Sequence, residues 1–379
     1  MKKVLILMGR YLPGYKDGGP VRTIKNLTDI FGKEYDIRIM CKDRDHGDLQ
    51  QYPNISADTY NKVGNANVYY VKNEKFKFKN MLNEIKKVDI VYCCGPYNDY
   101  AIKAMVLKKL GFFKMPLVIA SMGSFSKGAL SIKSKKKMIF LNIMKKLGFF
   151  KKIVWSVTSV VEKKELKEVI GENVKCIIAE DLPRTEIFEY QKNKKRENLK
   201  IIFLSRICEM KNLLGAIDIL ASINDLNIQF DIYGNKEDID YWEKCERKLR
   251  TLSANIKWKY CGECDSEKVL EIFAKYDVFL FPTLGENFGH VINEALIAGC
   301  IPIISNNTPW NDIEENNCGK VIPITCKNAY IEAIKYFYNM DNESYKKYII
   351  NLKKYIYEKN RKSLRNTGYY KIFNQEDSL

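Results

Sequence analysis

The chain has 379 residues, 46% hydrophobic and 29% charged, which excludes a disordered protein and is too long for one ordinary hydrophobic core. Two histidines exclude a His-rich metal site. The eleven cysteines are odd in number and include no second Cys-x-x-Cys pair, so they suit buried thiols in a reducing compartment.

The net charge of +17 is unevenly distributed. Residues 1–180 contain 34 Lys and Arg against 17 Asp and Glu, a net charge of 34 − 17 = +17. Residues 181–379 contain 29 Lys and Arg and 29 Asp and Glu, so their net charge is zero. Residues 100–161 contain 13 lysines and no acid. This asymmetry predicts two domains with different partners.

The first half alternates short apolar runs with amphipathic segments, which is typical of parallel βαβ units. Six runs predict strands: Val4–Met8, Ile37–Cys41, Val68–Val71, Ile90–Cys94, Leu117–Ser121 and Trp155–Ser159. Four segments predict helices: Arg22–Phe31, Lys79–Lys86, Asn98–Leu110 and Lys135–Leu147. The first apolar run is too short for a signal peptide and no run approaches the ~20 residues of a spanning helix, so a cytoplasmic protein is expected.

A second series of the same kind follows. Its predicted strands are Ile201–Ser205, Phe230–Tyr233, Ile256–Tyr260, Val278–Pro282, Ile301–Ser305 and Lys320–Ile322. We therefore predict an α/β fold of two Rossmann-like, doubly wound domains at 1–190 and 201–345, joined by a linker at 191–200. A helical tail at 346–379 is expected to pack back across the domains. Such domains bind ligands at the carboxyl ends of their strands, in the cleft between them.

A glycine-containing loop, Gly14–Arg22, follows the first predicted strand. The paired Gly18 and Gly19 would let the backbone approach a phosphate or another substrate group. The spacing differs from the Gly-x-Gly-x-x-Gly fingerprint, so NAD and FAD are not expected. A simple tight turn is the alternative interpretation.

The lysine-rich region contains a repeat. Lys108-Lys109-Leu110-Gly111-Phe112-Phe113-Lys114 recurs unchanged at residues 145–151. Phenylalanine beside lysine suits an interface with anionic lipid headgroups. The alternatives are a lysine-biased surface over core phenylalanines, or nucleic-acid binding, which the lack of arginine in this region disfavours.

Two cations follow the strand that opens the second domain. Arg206 and Lys211 belong to Phe203-Leu204-Ser205-Arg206-Ile207-Cys208-Glu209-Met210-Lys211. Lys211 would place a point charge against a phosphate, and Arg206 a forked contact. The alternative is a pair of surface bases at a helix start.

The strongest motif follows the predicted strand Val278–Pro282. It contains Gly285-Glu286-Asn287-Phe288-Gly289, then a predicted helix from about His290 that contains Glu294 and ends at Gly299. The helix start supplies N–H groups and a positive dipole end for an anion, and the two carboxylates suit the hydroxyls of a sugar or ribose. In the alternative interpretation Glu286 caps a turn and Glu294 is solvated.

This motif resembles the Glu-x7-Glu signature of family 4 retaining glycosyltransferases, which have the GT-B fold of two facing Rossmann-like domains. The segment with Arg206 and Lys211, and the glycine loop, resemble further elements of that family. Other stretches resemble a subgroup found among bacterial surface-polysaccharide enzymes: residues 42–48, 121–126, 231–234 and 308–310. Two departures stand out. Met122-Gly123-Ser124 replaces a His or Arg of many members, and Asp181-Leu182-Pro183 replaces Pro-Asn-Gly.

The resemblance implies a function for these residues. Glu286, Arg206 and Lys211 would be catalytic. The nucleotide-sugar donor, UDP-linked in preference to GDP-linked, would contact Gly18, Gly19, Asn287, Phe288, Gly289 and Glu294. Gly123 and Ser124 would lie on the acceptor side.

The resemblance also implies retention without a metal or other cofactor, although Asp43-Arg44-Asp45 spells the Asp-x-Asp metal signature of a different glycosyltransferase fold. With the basic region on the inner face of the plasma membrane, the expected acceptor is a polyprenyl-diphosphate-linked glycan in capsule, exopolysaccharide or O-antigen synthesis. A nucleotide-sugar epimerase of the same fold and a non-catalytic scaffold are the alternatives.

Overall fold

The computed structural model describes residues 1–126, 130, 134–190, 198–265 and 267–374. The chain divides into two compact units, one formed by Met1–Leu182 with the residues from Ser363 onward, the other by Pro183–Lys362. The predicted linker at 191–200 lies mostly outside the described residues, while Leu199 and Lys200 already belong to a strand.

The first unit contains an eight-stranded sheet with the order β3-β4-β2-β1-β5-β6-β7-β8. Its strands are β1 Lys3–Leu7, β2 Asp36–Lys42, β3 Tyr60–Val63, β4 Ala66–Val71, β5 Ile90–Cys94, β6 Leu117–Ala120, β7 Ile153–Val157 and β8 Lys175–Ile178. The pairs are parallel except β3 with β4, which is antiparallel. The described helices of this unit are α1 Gly19–Phe31, α2 Phe78–Ile85, α3 Asp99–Lys109, α4 Ser134–Lys146 and α5 Val160–Ile170.

The strands of this sheet are continuous apolar runs because the sheet is covered on both faces. Val4 and Ile6 of β1 belong to one hydrophobic core, whereas Leu5 and Leu7 belong to another on the opposite face. Successive side chains of a strand point to opposite faces, so a doubly covered strand must be apolar throughout.

The second unit contains a six-stranded, all-parallel sheet with the order β11-β10-β9-β12-β13-β14. Its strands are β9 Leu199–Leu204, β10 Ile228–Tyr233, β11 Ile256–Tyr260, β12 Val278–Phe281, β13 Ile301–Ser305 and β14 Lys320–Ile322. The chain order reverses between β9 and β12, and ligands of open α/β sheets bind at the carboxyl ends of the strands at such a switch point.

The helices of this unit are α6 Leu213–Leu220, α7 Ile239–Leu249, α8 Val269–Phe273, α9 His290–Ile297, α10 Lys327–Asn339 and α11 Asn342–Arg365. A last helix, α12 Tyr369–Asn374, belongs to the first unit, where Phe373 packs edge to face on Phe31 with ring centroids 5.5 Å apart. The prediction of two parallel-sheet Rossmann-like units is confirmed. Strands β3 and β8 and helix α5 were not predicted.

None of the helices in the described part of the chain is both long and apolar enough to cross a bilayer.

Candidate active site

Glu286 and Lys211 form an ion pair after the two strands at the switch point. The Lys211 ammonium donates to Glu286 Oε1 at 2.6 Å, and the two side chains are only 14% and 10% exposed. Lys211 ends a short 3-10 helix, Glu209–Lys211, after β9, and Glu286 lies in the loop after β12. Their proximity follows from the pairing of β9 with β12, because neighbouring parallel strands end at the same edge.

Hydrogen bonds join these two loops. The amide of Leu284 donates to Met210 O at 2.9 Å, and the Thr283 hydroxyl donates to the same carbonyl at 3.1 Å. The Asn212 side chain donates to Pro282 O at 2.8 Å and accepts from the amide of Gly215 at the start of α6. These hydrogen bonds between the two loops therefore fix the geometry of the Glu286–Lys211 ion pair.

Among the described contacts, Arg206 pairs with Glu237 and not with Glu286. Its Nη1 is 2.5 Å from Glu237 Oε2, and the two side chains are 45% and 46% exposed. An exposed ion pair of this kind contributes only about 0–1 kcal/mol, so a phosphate could take the place of Glu237 at small cost. Glu237 was not anticipated because nothing in its sequence context marks it as a partner of Arg206.

The loop before α9 ends on a left-handed residue. Gly289 has φ 78° and ψ 56°, and a Cβ atom there would meet Ile292 at 3.0 Å and the Trp310 indole at 3.3 Å. The Trp310 indole N–H donates to Phe288 O at 2.5 Å, which fixes the loop just before the first turn. Asn287, Phe288 and Gly289 thus lead directly into the helix N-terminus, where N–H groups and the dipole favour an anion.

Glu294 is buried rather than solvated, which excludes the alternative in which it is an ordinary surface residue. Its side chain on α9 is 6% exposed, and Arg184 Nη1 lies 3.8 Å from its Oε1. Arg184 also binds Glu186 through Nε and Nη2, at 2.9 Å and 2.5 Å. The sequence pattern did not identify Arg184, which is far from α9 in the chain, although a buried carboxylate requires a compensating group nearby.

In the first unit, the paired glycines lie at the start of α1. Gly18 has φ 64°, and nothing lies within 4 Å of a Cβ atom placed on Gly19. The preceding loop is held by Asp45, which accepts from the amides of Tyr15 and Lys16 at 2.9 Å and 3.3 Å, and Lys16 also binds Asp48 at 2.6 Å. The segment at 42–48 thus supports the glycine loop.

Both carboxylates of the Asp-x-Asp triplet are occupied by protein donors. Asp43 binds the Arg44 guanidinium at 3.0 Å and the amide of Asn73 at 3.1 Å. Asp45 supports the glycine loop and accepts from the amide of His46 at 2.8 Å.

Gly123 and Ser124 follow β6 in a turn with left-handed backbone at Met122 (φ 47°) and Gly123 (φ 70°). The buried Glu162 on α5 accepts from the amide of Gly123 at 2.5 Å. Glu162 also accepts from the amide and hydroxyl of Thr158, at 2.6 Å and 2.8 Å. This carboxylate was missed because α5 was not among the predicted elements.

Asp181 follows β8 in the segment that departs from the family pattern. Its carboxyl is partly buried and accepts from the Thr23 hydroxyl on α1 at 3.2 Å. Desolvation raises the pKa of Asp181 to about 7; the nearby Glu162 carboxylate acts in the same direction and the Thr23 hydrogen bond opposes it.

The architecture agrees with comparisons to known proteins. Residues 184–355 match the family model described as "Glycosyl transferases group 1". A Klebsiella pneumoniae protein described as "Uncharacterized 41.2 kDa protein in cps region" is 23% identical over 374 residues, which cover 94% of this chain and 96% of that protein.

Two solved structures extend the likeness to the whole fold. Anabaena HepE in complex with UDP and glucose superposes with a TM-score of 0.68 at 14% identity and covers 100% of both chains. WaaG, a glycosyltransferase involved in lipopolysaccharide biosynthesis, gives a TM-score of 0.64 at 15% identity over 95% of this chain and 98% of WaaG. The fold is that of the GT-B class. Within the second unit, residues 184–355 are similar to glycosyltransferase group 1 domains, and nearly the whole chain is similar to a protein from a cps region.

Proposed function

We propose that this protein is a retaining glycosyltransferase that moves a sugar from a UDP-sugar to a lipid-linked glycan. The observation that carries the proposal is the Glu286–Lys211 pair at the switch point, beside the N-terminus of α9. A sugar diphosphate presents hydroxyl donors next to a doubly charged anion. An adjacent carboxylate and ammonium match those two groups.

In the proposed mechanism, Glu286 accepts hydrogen bonds from the donor sugar and Lys211 faces the diphosphate. Arg206, released from Glu237, and the first turn of α9 add positive charge where negative charge grows on the leaving group. Such preorganised donors are usually the largest catalytic term in a polar site. Glu294 would hold the ribose, with Arg184 beside it.

Retention follows in this proposal from reaction on one face of the sugar. The bond from the anomeric carbon to the diphosphate oxygen breaks, and that oxygen takes the proton of the acceptor hydroxyl as the new glycosidic bond forms. The reaction then needs no His–Asp base pair and no metal. Gly123 and Ser124 would contact the acceptor, on a turn that Glu162 holds in place.

Two findings favour a UDP-sugar and a surface polysaccharide. HepE, which shares the fold, was solved with UDP and glucose, and the cps-region protein is similar over nearly the whole chain. Capsule, exopolysaccharide or O-antigen assembly would supply a polyprenyl-diphosphate-linked acceptor. We propose that the basic region 100–161 brings the protein to that acceptor at the inner face of the plasma membrane.

The test is product analysis with a panel of UDP- and GDP-sugars and a lipid extract that contains polyprenyl-diphosphate-linked glycans. NMR should show one released nucleoside diphosphate and a new linkage with the donor's anomeric configuration, unchanged by EDTA. Glu286→Gln should lower turnover by about a hundredfold or more, as loss of one preorganised contact does. The matched control Glu314→Gln disrupts a half-buried ion pair with Lys320 (3.0 Å) and should leave turnover unchanged.

Other outcomes of this experiment would contradict the proposal and identify a different function. An epimerised nucleotide sugar formed without acceptor would identify an epimerase. Nucleotide binding with no turnover on any extract would identify a scaffold. An inverted linkage would contradict the retaining mechanism alone.

A further inference from the structure

The two copies of the lysine repeat meet around a cavity in the first unit. The cavity has a volume of about 820 Å³. Lys108 and Lys114 come from the first copy, and Lys145, Phe150 and Lys151 from the second. The repeat is therefore not only a composition bias, because both copies contribute to one concave site.

The phenylalanine pairs explain how each copy is anchored. The second phenylalanine of each pair, Phe113 and Phe150, is buried in the core of the unit. The first differs between the copies: Phe112 is 51% exposed, while Phe149 lies under the Lys109 ammonium, 5.3 Å from its ring centroid. The Lys109 ammonium also donates to Leu147 O, which ties one copy to the other.

The cavity is strongly cationic. Of its described lining residues, six are lysines and Glu172 is the single acid, and Glu172 is engaged by Lys167 at 3.3 Å. Lys108 donates to the carbonyls of Lys114 and Met115, at 2.9 Å and 2.7 Å. Desolvation, and to a lesser extent repulsion from the neighbouring Lys152, lowers the pKa of Lys108. An anion in the cavity would relieve this repulsion.

The cavity lies at the opposite end of the sheet from the proposed acceptor turn. Leu117, Ile153 and Lys175, which begin β6, β7 and β8, line it. Gly123 follows the other end of β6. Because β6 to β8 run parallel, the lysine cavity is separate from the acceptor side.

Exposed apolar side chains accompany these lysines. Leu110, Phe112 and Leu147, all from the repeat copies, are 66%, 51% and 52% exposed, and Ile139 and Ile143 of α4 are 60% and 52% exposed. Ile139 and Ile143 share one face of α4, and Leu147 follows the last residue of the helix, with its amide donating to Ile143 O at 2.9 Å. Exposed apolar side chains interspersed with lysines are typical of an interfacial membrane contact.

We propose that the cavity binds the phosphate of an anionic phospholipid headgroup while Leu110, Phe112 and Leu147 enter the bilayer interface. The inference deepens the membrane contact in the proposed function and names its partner, but it does not depend on sugar transfer. The exposed apolar side chains of the repeat copies favour a lipid over a free phosphate compound, since soluble phosphate leaves those side chains in water.

The test compares two double variants by sedimentation with vesicles of phosphatidylcholine, with and without phosphatidylglycerol. Lys145→Gln/Lys152→Gln removes two charges from the cavity lining. Lys136→Gln/Lys146→Gln removes two charges, also exposed, from the same region but outside the lining. The cavity pair should weaken binding to the anionic vesicles about thirtyfold and the control pair less than about fivefold.

Calorimetry with soluble glycerol phosphate and with UDP completes the design. Wild type should bind glycerol phosphate weakly, the cavity pair should not, and all variants should bind UDP alike and keep their unfolding midpoints. Equal losses in the two pairs would overturn the cavity site in favour of diffuse charge. Absent vesicle binding with tight glycerol phosphate binding would assign the cavity to a soluble phosphate. Intact UDP binding in either case would leave the transferase proposal standing.

Discussion

At the scale of residues, two carboxyl groups withdrawn from solvent behave differently because their surroundings differ. Glu294 is buried, and the Arg184 guanidinium lies 3.8 Å from its Oε1. Asp181 has a hydroxyl donor and another carboxylate as neighbours, and desolvation raises its pKa. Stability should therefore depend on the neighbouring cation at Glu294 and on pH at Asp181.

Removing the cation beside Glu294 should destabilise the second unit. Arg184→Met leaves a buried carboxylate without this partner, and we expect the free energy of unfolding to fall by about 3 kcal/mol. Three of the four tryptophans, Trp242, Trp258 and Trp310, are in this unit, so urea unfolding followed by tryptophan fluorescence reports on it.

Two further variants test whether the loss of the cation beside Glu294 causes this destabilisation. Glu186→Gln removes only the exposed partner of Arg184 and should change stability by less than about 1 kcal/mol. The double variant Arg184→Met/Glu294→Gln should recover most of the loss, because no buried charge remains. A double variant as unstable as Arg184→Met would mean that Arg184 acts through packing.

Asp181 should make the first unit less stable as the pH rises. Its folded pKa of about 7 lies above the unfolded value of about 4, so between these values the folded state binds the proton more tightly. Its stabilising contribution is complete below about pH 4 and is lost as the pH rises through about 7. Because the side chain keeps some contact with solvent, we expect a loss of about 2 kcal/mol.

Urea unfolding of wild type and Asp181→Asn, at pH 5 and at pH 8, measures this effect. The variant should lose the corresponding part of the pH dependence and be the more stable protein at pH 8. Identical pH profiles for the two proteins would show that Asp181 is ionised throughout.

At the scale of elements, the chain's patterns predict the buried framework better than its edges. The apolar runs mark the central strands because both faces are covered, as the alternating cores of β1 show. Strand β3, Tyr60-Asn61-Lys62-Val63, is a partly exposed edge strand with two polar residues, and it has no such run. Its pairing partner, not its own composition, makes it a strand.

The same contrast holds in the candidate site. The positions of Glu286 and Lys211 follow from two strands whose sequence patterns are clear. The partners Arg184, Glu237 and Glu162 could not be predicted, because each is far in sequence from the residue it contacts. Their contacts depend on tertiary packing, which no local spacing encodes.

The two glycine turns of the first unit should respond differently to an added methyl group. Gly19→Ala meets no atom within 4 Å and its φ is not in the left-handed region, so stability should not fall. If a substrate approaches the backbone there, turnover should drop about tenfold or more, because the methyl group occupies that space.

Gly123→Ala supplies the contrast. It also meets no atom within 4 Å, but its φ of 70° should cost about 1 kcal/mol of stability. Unfolding midpoints and steady-state kinetics of both variants separate backbone strain from substrate exclusion. Full activity of Gly19→Ala would remove the glycine loop from the proposed substrate site.

At the scale of the whole molecule, the charge distribution suits two units that bind different partners. The excess of +17 arises within residues 1–180, and the candidate donor-site residues Glu286, Glu294, Arg206 and Lys211 lie in the neutral second half. We expect the first unit to meet the anionic surface and the acceptor, and the second to hold the donor. Donor binding should therefore be measurable without a membrane or an acceptor.

The most direct test is calorimetric titration with UDP, GDP and ADP, with and without EDTA, on wild type, Lys211→Met and Lys320→Met. We predict that UDP binds wild type and Lys320→Met equally, that EDTA has no effect, and that Lys211→Met weakens binding about ten- to a hundredfold. Failure of all three nucleotides to bind, or equal binding by Lys211→Met, would contradict the donor site at Glu286 and Lys211.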